Sequence, residues 1–298
     1  MSWPQPNSAK GGLMRSAGIS VAAKMIAMRS KLSPSELNVV ESLLSEYPMA
    51  GLENISTLAR MSKVSEPTVT RLVAKLGFDG YADFKASLRA EVAERLATPV
   101  DVHSHHDDKF GGFSDHLNRI VTELSRTYDS IDPSDLDRAT DMLTDLLRRP
   151  YLVGGRFSSL LARNMGRSLQ LYRRDVTVVG EEPSDRLAHS LDLDANVVCV
   201  AFDFRRYQRD TVEFGSRVKR KGGALIVFTD PYLSPLSAEA DVVLCASIAG
   251  SAQMNSMLPA LALSESLLSM VAQRFGEDGQ IRLKEYGGMT DTFAPTTI

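Results

Sequence analysis

One stretch, residues 54–78, restricts the fold of this chain more than any other segment. Apolar residues recur there at the i, i+3, i+4 and i+7 spacing of a one-sided helix, namely at Val69, Leu72, Val73 and Leu76. Ser65 followed by Glu and Pro is a typical helix start, and Gly77 is a typical helix end. A shorter helix, which we expect Ser56 to cap, precedes a turn that contains Val64. The spacing therefore predicts a helix-turn-helix.

The second helix of a helix-turn-helix lies in the major groove of DNA, where its N-terminal residues meet base edges. Arg71 suits this position because its guanidinium group reads guanine or binds a phosphate. The predicted DNA-binding residues lie on the outward side of this helix and in the turn: Lys63, Ser65, Pro67, Thr68, Thr70, Arg71 and Lys75. By spacing alone, an αα-hairpin that only packs against its neighbours fits equally well.

The flanking sequence separates these two interpretations. The matching pieces, in order, are LSPSE at 32–36, Pro48, VSEPTVTRLVAKLGF at 64–78 and GYADFK at 80–85. With these pieces, residues 31–96 resemble the N-terminal DNA-binding domain of the RpiR family of bacterial transcription regulators. That family usually has glycine where this chain has Lys63. A left-handed conformation costs a non-glycine residue ~1 kcal/mol, so we expect either a slightly different turn or a Lys63 that tolerates the strain and reaches a phosphate.

Length and charge distribution predict two domains. Residues 1–98 hold 12 basic and 9 acidic side chains, whereas the remaining residues hold 22 basic and 28 acidic ones. A basic module joined to an acidic one is typical of a DNA-binding head on a body that does not bind DNA. The sequence has no run of 18 apolar residues and no secretory signal, so we expect a cytoplasmic protein that does not enter a membrane.

The predicted boundaries follow changes in composition. We expect a flexible tail over 1–18, the helix-turn-helix domain over 19–97, a linker over 98–113, an α/β domain over 114–276 and a C-terminal tail over 277–298. The linker contains His103, His105 and His106, whose spacing fits no ordered metal site, so we predict no metal. Cys199 and Cys245 lie in apolar runs and are expected to be buried thiols.

Beyond residue 150 the chain alternates apolar strands with helices. The expected strands cover 151–155, 176–180, 196–204, 224–230 and 241–247, and helices fill the segments between and after them. Continuous apolar strands separated by helices indicate a parallel sheet that is covered on both faces. We therefore predict an all-α helix-turn-helix domain followed by an αβα doubly wound domain with a five-stranded parallel sheet.

Two loops at the carboxyl edge of this sheet are candidates for a ligand site, because ligands of doubly wound sheets bind there. They are 154–159, which opens a helix after Gly-Gly, and 203–208. We expect these loops to lie side by side and to bind a small anion. The predicted effector-binding residues are Gly155, Arg156, Ser158, Ser159, Asp203, Arg205, Arg206 and Gln208.

The segment 133–276 is similar to the sugar isomerase (SIS) domain, which senses phosphorylated sugars in RpiR-type regulators. Its matching features are the strand-Gly-x-x-x-Ser-helix opening at 150–162, KRKGGALIVFTD at 219–230 and LSPLSAEADVVL at 233–244. The family carries Ser-x-Ser-Gly-x-Thr at the positions of residues 203–208, and a second glycine at Arg156. Every hydroxyl of the family's phosphate cradle is therefore missing from residues 203–208, and three arginines appear across the two loops instead, namely Arg156, Arg205 and Arg206.

Together these features predict a sequence-specific DNA-binding regulator of carbohydrate or related catabolic genes. We expect it to respond to a small anionic effector, either a phosphorylated sugar or a sugar acid, to bind an operator in double-stranded DNA, to form a dimer or tetramer through the α/β domain, and to use no cofactor. Two alternatives stay open: a sugar-phosphate isomerase with a fused helical domain, and a regulator whose sensor serves only for dimerisation. Neither His189 nor Glu213 forms a readable catalytic pair. We also expect the neighbouring arginines to lower the pKa of Asp203 and to make it a poor base.

Overall fold

The computed structural model describes residues 20–96, 112–249 and 255–290. The predicted N-terminal tail over 1–18 and nearly all of the linker, including its three histidines, lie outside the described residues. Among the described helices, none is long and apolar enough to cross a bilayer. The described parts form a helical domain and an α/β domain.

The helical domain consists of short helices around one apolar core. These are α1 (Val21–Ala27), a 3-10 turn (Arg29–Lys31), α2 (Pro34–Ser45), α3 (Met49–Leu52), α4 (Ile55–Met61), α5 (Glu66–Lys75) and α6 (Tyr81–Leu96). At the start of α2, Ser33 and Glu36 form a capping box in which the Ser33 amide donates to the Glu36 carboxylate at 2.8 Å. Glu36 is thereby fixed close to the core.

The predicted helix-turn-helix is formed by α4 and α5. The apolar side of α5 is buried, with Val69, Leu72, Val73 and Leu76 at most 3% exposed. Gly77 ends the helix with φ of +85°, a conformation that favours glycine. The expected cap of α4 was wrong by two residues, because Asn54 rather than Ser56 accepts a 2.8 Å hydrogen bond from the amide of Thr57.

The α/β domain begins with α7 (Phe113–Ser130) and α8 (Pro133–Thr144). It continues with β1 (Arg149–Gly154), α9 (Ser159–Gln170), β2 (Thr177–Val178), α10 (Pro183–Ser190), β3 (Val197–Phe202) and α11 (Arg209–Arg220). It ends with β4 (Ala224–Thr229), a 3-10 turn (Pro235–Ala238), β5 (Val242–Cys245) and α12 (Leu258–Thr290).

The five strands form one parallel sheet in the order β2-β1-β3-β4-β5, as the continuous apolar strands predicted. Alternate strand residues face opposite layers. Leu152, Val200 and Ile226 pack with α8, α9 and α12, whereas Cys199 and Val227 pack with α11. Cys199 and Cys245 are buried free thiols, and burial raises the pKa of the Cys199 thiol to about 12.

The last helix extends further than the sequence suggested. We expected a tail over 277–298, but α12 runs to Thr290, with non-helical backbone angles at Gly276. Beyond this break, the Arg282 guanidinium donates to the carbonyl of Gln170 at 3.0 Å, which attaches the extension to the end of α9. Inside the domain, Leu267 and Val271 of α12 are fully buried in the core.

The two domains share one packed boundary. Leu233, which follows β4, and Cys245 of β5 belong to the same buried cluster as the core of the helical domain. The Ser20 hydroxyl donates to the carbonyl of Pro231 across the same boundary. The segment after β4 therefore belongs structurally to both domains.

Candidate functional site

The outward side of α5 and the turn before it present polar side chains. Lys63, Ser65, Pro67, Thr70 and Arg71 are all exposed. The small side chains at the start of the helix leave its backbone accessible, and the arginine follows on the same side. This geometry matches the approach of a recognition helix to the major groove.

Five of the predicted DNA-binding side chains have partners inside the protein, namely those of Ser65, Thr68, Thr70, Arg71 and Lys75. Thr68 is 6% exposed, and its hydroxyl lies 3.1 Å from that of Ser65 and accepts a 3.4 Å hydrogen bond from Arg71. The Lys75 ammonium lies 2.8 Å from the carboxylate of Glu36 in α2. The hydrogen bond from Lys75 lowers the pKa of Glu36 to about 2. Thr68 therefore supports Arg71, and Lys75 fastens α5 to α2.

The turn between α4 and α5 contains a backbone conformation that is rare for a side-chain-bearing residue. Lys63 has φ of +54°, in the left-handed region, so of the two expected alternatives the chain keeps the turn and lysine adopts the strained conformation. Its amide donates to the carbonyl of Arg60, and the Val64 amide donates to that of Ala59, so the turn is closed by backbone hydrogen bonds. The ammonium group of Lys63 projects from an exposed position beside the start of α5.

In the α/β domain, the two predicted ligand loops lie side by side, as expected. Gly154 of β1 pairs with Phe202 of β3, and the Ser158 hydroxyl donates to the Phe202 carbonyl at 2.6 Å. The Gln208 side-chain oxygen accepts a hydrogen bond from the amide of Arg156. A Cβ at Gly155 would lie 2.1 Å from the same Gln208 oxygen, so a larger residue there would displace the Gln208 side chain.

Asp203 closes the end of β3 and is 2% exposed. Its carboxylate accepts the Gln208 amide at 3.1 Å and the Ser234 hydroxyl. Burial raises the pKa of Asp203 to about 6. Our expectation that neighbouring arginines would lower this pKa was wrong, because removal from water outweighs every favourable contact of the carboxylate.

Three arginines stand at the outer side of these loops. Arg156 and Arg206 are exposed, and Arg205 is half-buried with its guanidinium 5.8 Å from the ring centre of Tyr232. Arg206 has φ of +72°, which turns the loop sharply at this residue. Among the described residues, no ion pair joins these three guanidinium groups to a carboxylate within 4.0 Å.

The profile of the helix-turn-helix domain of the rpiR family matches residues 19–95, and that of the SIS domain matches residues 147–270. The chain belongs to the RpiR family of transcriptional regulators. A helix-turn-helix-type transcriptional regulator of Clostridium perfringens is 23% identical over 261 residues, covering 85% of this chain and 93% of that protein.

Two solved structures share the fold of this RpiR-family chain. The sugar isomerase domain of an RpiR transcription factor from Sphaerobacter thermophilus is 24% identical, with a TM-score of 0.55 over 58% of this chain and 97% of that one. The Vibrio vulnificus NanR protein, complexed with ManNAc-6P, is 16% identical with a TM-score of 0.54 over 93% of this chain and 100% of that one. The second match spans both domains.

Asp230, a buried residue that the sequence analysis missed, organises the β3–α11 loop of the chain. It is fully buried, and its carboxylate accepts the Arg205 amide, the Tyr207 hydroxyl at 2.9 Å and the Tyr232 amide at 2.8 Å. An aspartate directly after a buried strand at the ligand edge was the available signal. Its partners Arg205 and Tyr207, 25 and 23 residues earlier in the chain, were not visible in the sequence.

Arg186 of α10 is a second missed residue. It is 5% exposed and donates to the Gly154 carbonyl at 2.8 Å and to the Thr211 hydroxyl at 2.9 Å. It also lies 3.2 Å from the carboxylate of Asp210. Arg186 thus ties the end of β1 to the start of α11 beneath the first loop, and supports the loop from inside.

The residues that we considered for an isomerase do not assemble into a catalytic group. His189 packs edge-on against Tyr151, with ring centres 5.8 Å apart. The Glu213 carboxylate is exposed and paired with Arg217 at 3.0 Å and Arg220 at 2.9 Å, and these pairs lower its pKa. A lowered pKa makes this carboxylate a weak base at neutral pH.

A cleft of about 620 Å³ lies on another part of the α/β domain, between α10 and α11. Its lining includes Leu187, Leu191, Arg217, Arg220 and Lys221. None of the residues predicted to bind the effector lines this cleft. The convergence of the two loop ends, rather than the size of a hollow, therefore identifies the candidate effector site.

Proposed function

We propose that this regulator binds duplex DNA through the outward side of α5, and that a small sugar-derived anion at the edge of the sheet changes its affinity for DNA. The main observation behind this proposal is the exposed surface of α5. Arg71 stands there on a helix whose other side is locked into the domain core. The relatives are named as transcriptional regulators, which supports binding of the effector without turnover.

The proposed DNA contacts follow from exposure. Arg71 reads a base or binds a phosphate, while Ser65, Pro67 and Thr70 allow close approach of the helix. Lys63 lies in the preceding turn, where an ammonium group meets the phosphate backbone. The proposed targets are genes of carbohydrate or related catabolism.

Substitution of Arg71 by alanine tests this proposal. We expect Arg71→Ala to weaken binding to the region upstream of the protein's own gene by ~1–3 kcal/mol, because one base or phosphate contact is lost. The matched control is Arg167→Ala, which removes the same charge from an exposed position on α9. Equal affinities of the two variants in a fluorescence anisotropy titration would place the DNA interface elsewhere.

The proposed effector site is the edge formed by residues 154–159 and 203–208, with Arg156, Arg205 and Arg206 as the anion-binding groups. Guanidinium groups bind phosphates and carboxylates through paired hydrogen bonds. The NanR protein, which shares the fold of both domains, was solved with a sugar phosphate, and this supports a sugar-derived anion as the ligand class. To regulate, the anion must bind the free and the DNA-bound protein with different affinities.

The same proposal includes a homodimer, because paired half-sites give a helix-turn-helix protein its specificity. The α7 helix presents an apolar stripe of exposed side chains at helical spacing: Phe113, Leu117, Val121 and Tyr128. A second copy of this chain would cover this stripe, since a stripe of this kind on a helix surface is typical of helix–helix association.

Light scattering on the full chain tests the dimer. We expect a dimer at micromolar concentration, and we expect Val121→Glu to produce monomers because the substitution places a charge in the apolar contact. Asn118→Glu is the control, since Asn118 is exposed on α7 but lies off the stripe. A monomeric wild-type chain, or a dimer that Val121→Glu leaves intact, would contradict the proposed interface.

A further inference from the structure

Two backbone amides of the β3–α11 loop already have negatively charged partners within the protein. The Gln208 amide donates to the Asp203 carboxylate, and the Arg205 amide donates to the Asp230 carboxylate. Both carboxylates are buried, with Asp203 2% exposed and Asp230 fully buried. Loop amides of this kind hold anions in many proteins, and here the anions belong to the chain itself.

Several hydrogen-bond donors of the first loop, residues 154–159, also have partners within the protein. The Gly155 amide donates to the Ser158 hydroxyl at 2.8 Å, and that hydroxyl donates to the carbonyl of Phe202. The Ser159 hydroxyl donates to the Glu181 carboxylate at 2.6 Å, and the amide of Arg156 donates to the Gln208 side chain. These hydroxyl and amide donors, which could otherwise meet a phosphate, are therefore engaged by internal acceptors.

The guanidinium groups of Arg156, Arg205 and Arg206 remain as donors for an incoming anion. Neighbouring arginines differ from them, since Arg163 pairs with Glu181 and Arg186 pairs with Asp210. A guanidinium group and a carboxylate have matching planar geometry, so they form two parallel hydrogen bonds. A phosphate monoester carries up to two negative charges, and it would approach a loop whose buried floor already holds two carboxylates.

Building on the arginine site of the proposed function, we propose that the effector is a free sugar acid, a polyhydroxy monocarboxylate. Its carboxylate is bound by Arg205 with Arg156 and Arg206. Asp203 and Asp230 act as specificity-determining residues, because their charges occupy the loop amides and repel a phosphate dianion. The hydroxyls of such an acid would meet the polar side chains of the same loop, which include Tyr207 and Gln208.

Calorimetric titration of the full chain compares the two ligand classes. The acid probes are D-gluconate, D-galactonate, D-glucuronate and a 2-keto-3-deoxy aldonate, and the phosphate probes are glucose 6-phosphate, N-acetylmannosamine 6-phosphate and inorganic phosphate. We expect saturable binding of at least one acid and none of the phosphates. We expect Arg205→Lys to weaken binding of the acid by about tenfold, because lysine keeps the charge but loses the planar pair of donors. Arg167→Lys is the matched control and should leave the affinity for every probe unchanged.

Asp203→Asn separates specificity from simple affinity. The substitution removes one buried negative charge and keeps a side-chain oxygen for the Gln208 amide, so we expect phosphate binding to appear while acid binding persists. Thermal unfolding confirms that the variant is folded, and a misfolded variant leaves the Arg205→Lys comparison to decide. Tighter binding of sugar phosphates than of acids by the wild-type chain would overturn the ligand class and leave the proposed anion site standing. Absence of binding by every probe would overturn the anion site itself, while the DNA-binding test of Arg71 would be unaffected.

Discussion

At the residue scale, Lys63 combines a costly backbone conformation with a charge beside α5, the proposed DNA-binding helix. Its φ of +54° is one that glycine adopts without strain and lysine does not. The exposed ammonium group is the feature that offsets this cost if it meets a phosphate. Glycine at this position would therefore favour stability, whereas lysine would favour the proposed contact with DNA.

Two substitutions of Lys63 separate its effect on stability from its effect on DNA affinity. Lys63→Ala removes the charge and keeps the strain, whereas Lys63→Gly removes both. We expect the glycine variant to be more stable than the alanine variant by about 1 kcal/mol in urea unfolding. Both variants should bind DNA more weakly than wild type and equally to each other. A DNA affinity equal to that of wild type in both would show that Lys63 does not meet the phosphate backbone.

At the element scale, α5 is held to α2 by the ion pair between Lys75 and Glu36. Glu36 also belongs to the capping box at the start of α2, so one carboxylate serves the helix start and the contact between helices. The side chain of Glu36 is 5% exposed, so its charge depends on this partner. The orientation of α5, the proposed DNA-binding helix, thus depends on a residue 39 positions earlier in the chain.

This pair makes the stability of the helical domain depend on pH. The folded-state pKa of Glu36, about 2, lies below its ordinary value of 4.5, so the stabilisation is complete above about pH 5 and is lost as pH falls towards 2. We expect Glu36→Gln to cost about 2 kcal/mol at pH 7 and to flatten this part of the stability profile. Glu41→Gln, at an exposed position on the same helix, is the control. Identical profiles for Glu36→Gln and wild type between pH 5 and 2 would show that the pair adds no stability.

At the scale of the whole molecule, the segment after β4 connects the candidate effector edge to the DNA-binding domain. Ser234 donates to Asp203 beneath the loop, and Arg205 lies near the ring of Tyr232. Between them, Leu233 is 5% exposed and packs into the core of the helical domain. A ligand that moves the β3–α11 loop therefore acts on a segment that is also part of the domain boundary.

Truncation of Leu233 tests this connection. We expect Leu233→Ala to destabilise the helical domain by about 2 kcal/mol or more, because a buried leucine side chain is lost at the boundary. Hydrogen exchange should then speed up in α2 and α5. Leu236→Ala is the matched control, since Leu236 is fully buried in the α/β core, where it should affect α11 and the sheet instead. Faster exchange confined to the α/β domain in both variants would argue against coupling through Leu233.

Much of the architecture could be predicted from local patterns. The apolar stripe of α5 and the glycine after it follow from spacing and backbone preference within a few residues, whereas the left-handed turn at Lys63 was suggested by the family resemblance. The continuous apolar strands likewise predicted a parallel sheet, and parallel strands bring their carboxyl ends to one edge. The neighbouring position of loops 154–159 and 203–208 followed from that rule alone.

The tertiary structure decided which of the predicted site residues have internal partners. Thr68 is buried, and Lys75 forms an ion pair with Glu36. Burial raises the pKa of Asp203 although two arginines follow it closely in sequence. Asp230 follows a buried strand, but its bonding partners in the β3–α11 loop were not visible in the sequence, and Arg186 carried no local signal. Hydrogen bonds and burial depend on groups that the fold brings together from distant positions, whereas periodicity reports only which side of an element faces the core. The sequence by itself therefore determined the elements and the edge where a ligand would bind, and the packed structure alone determined which donors and charges that edge still offers.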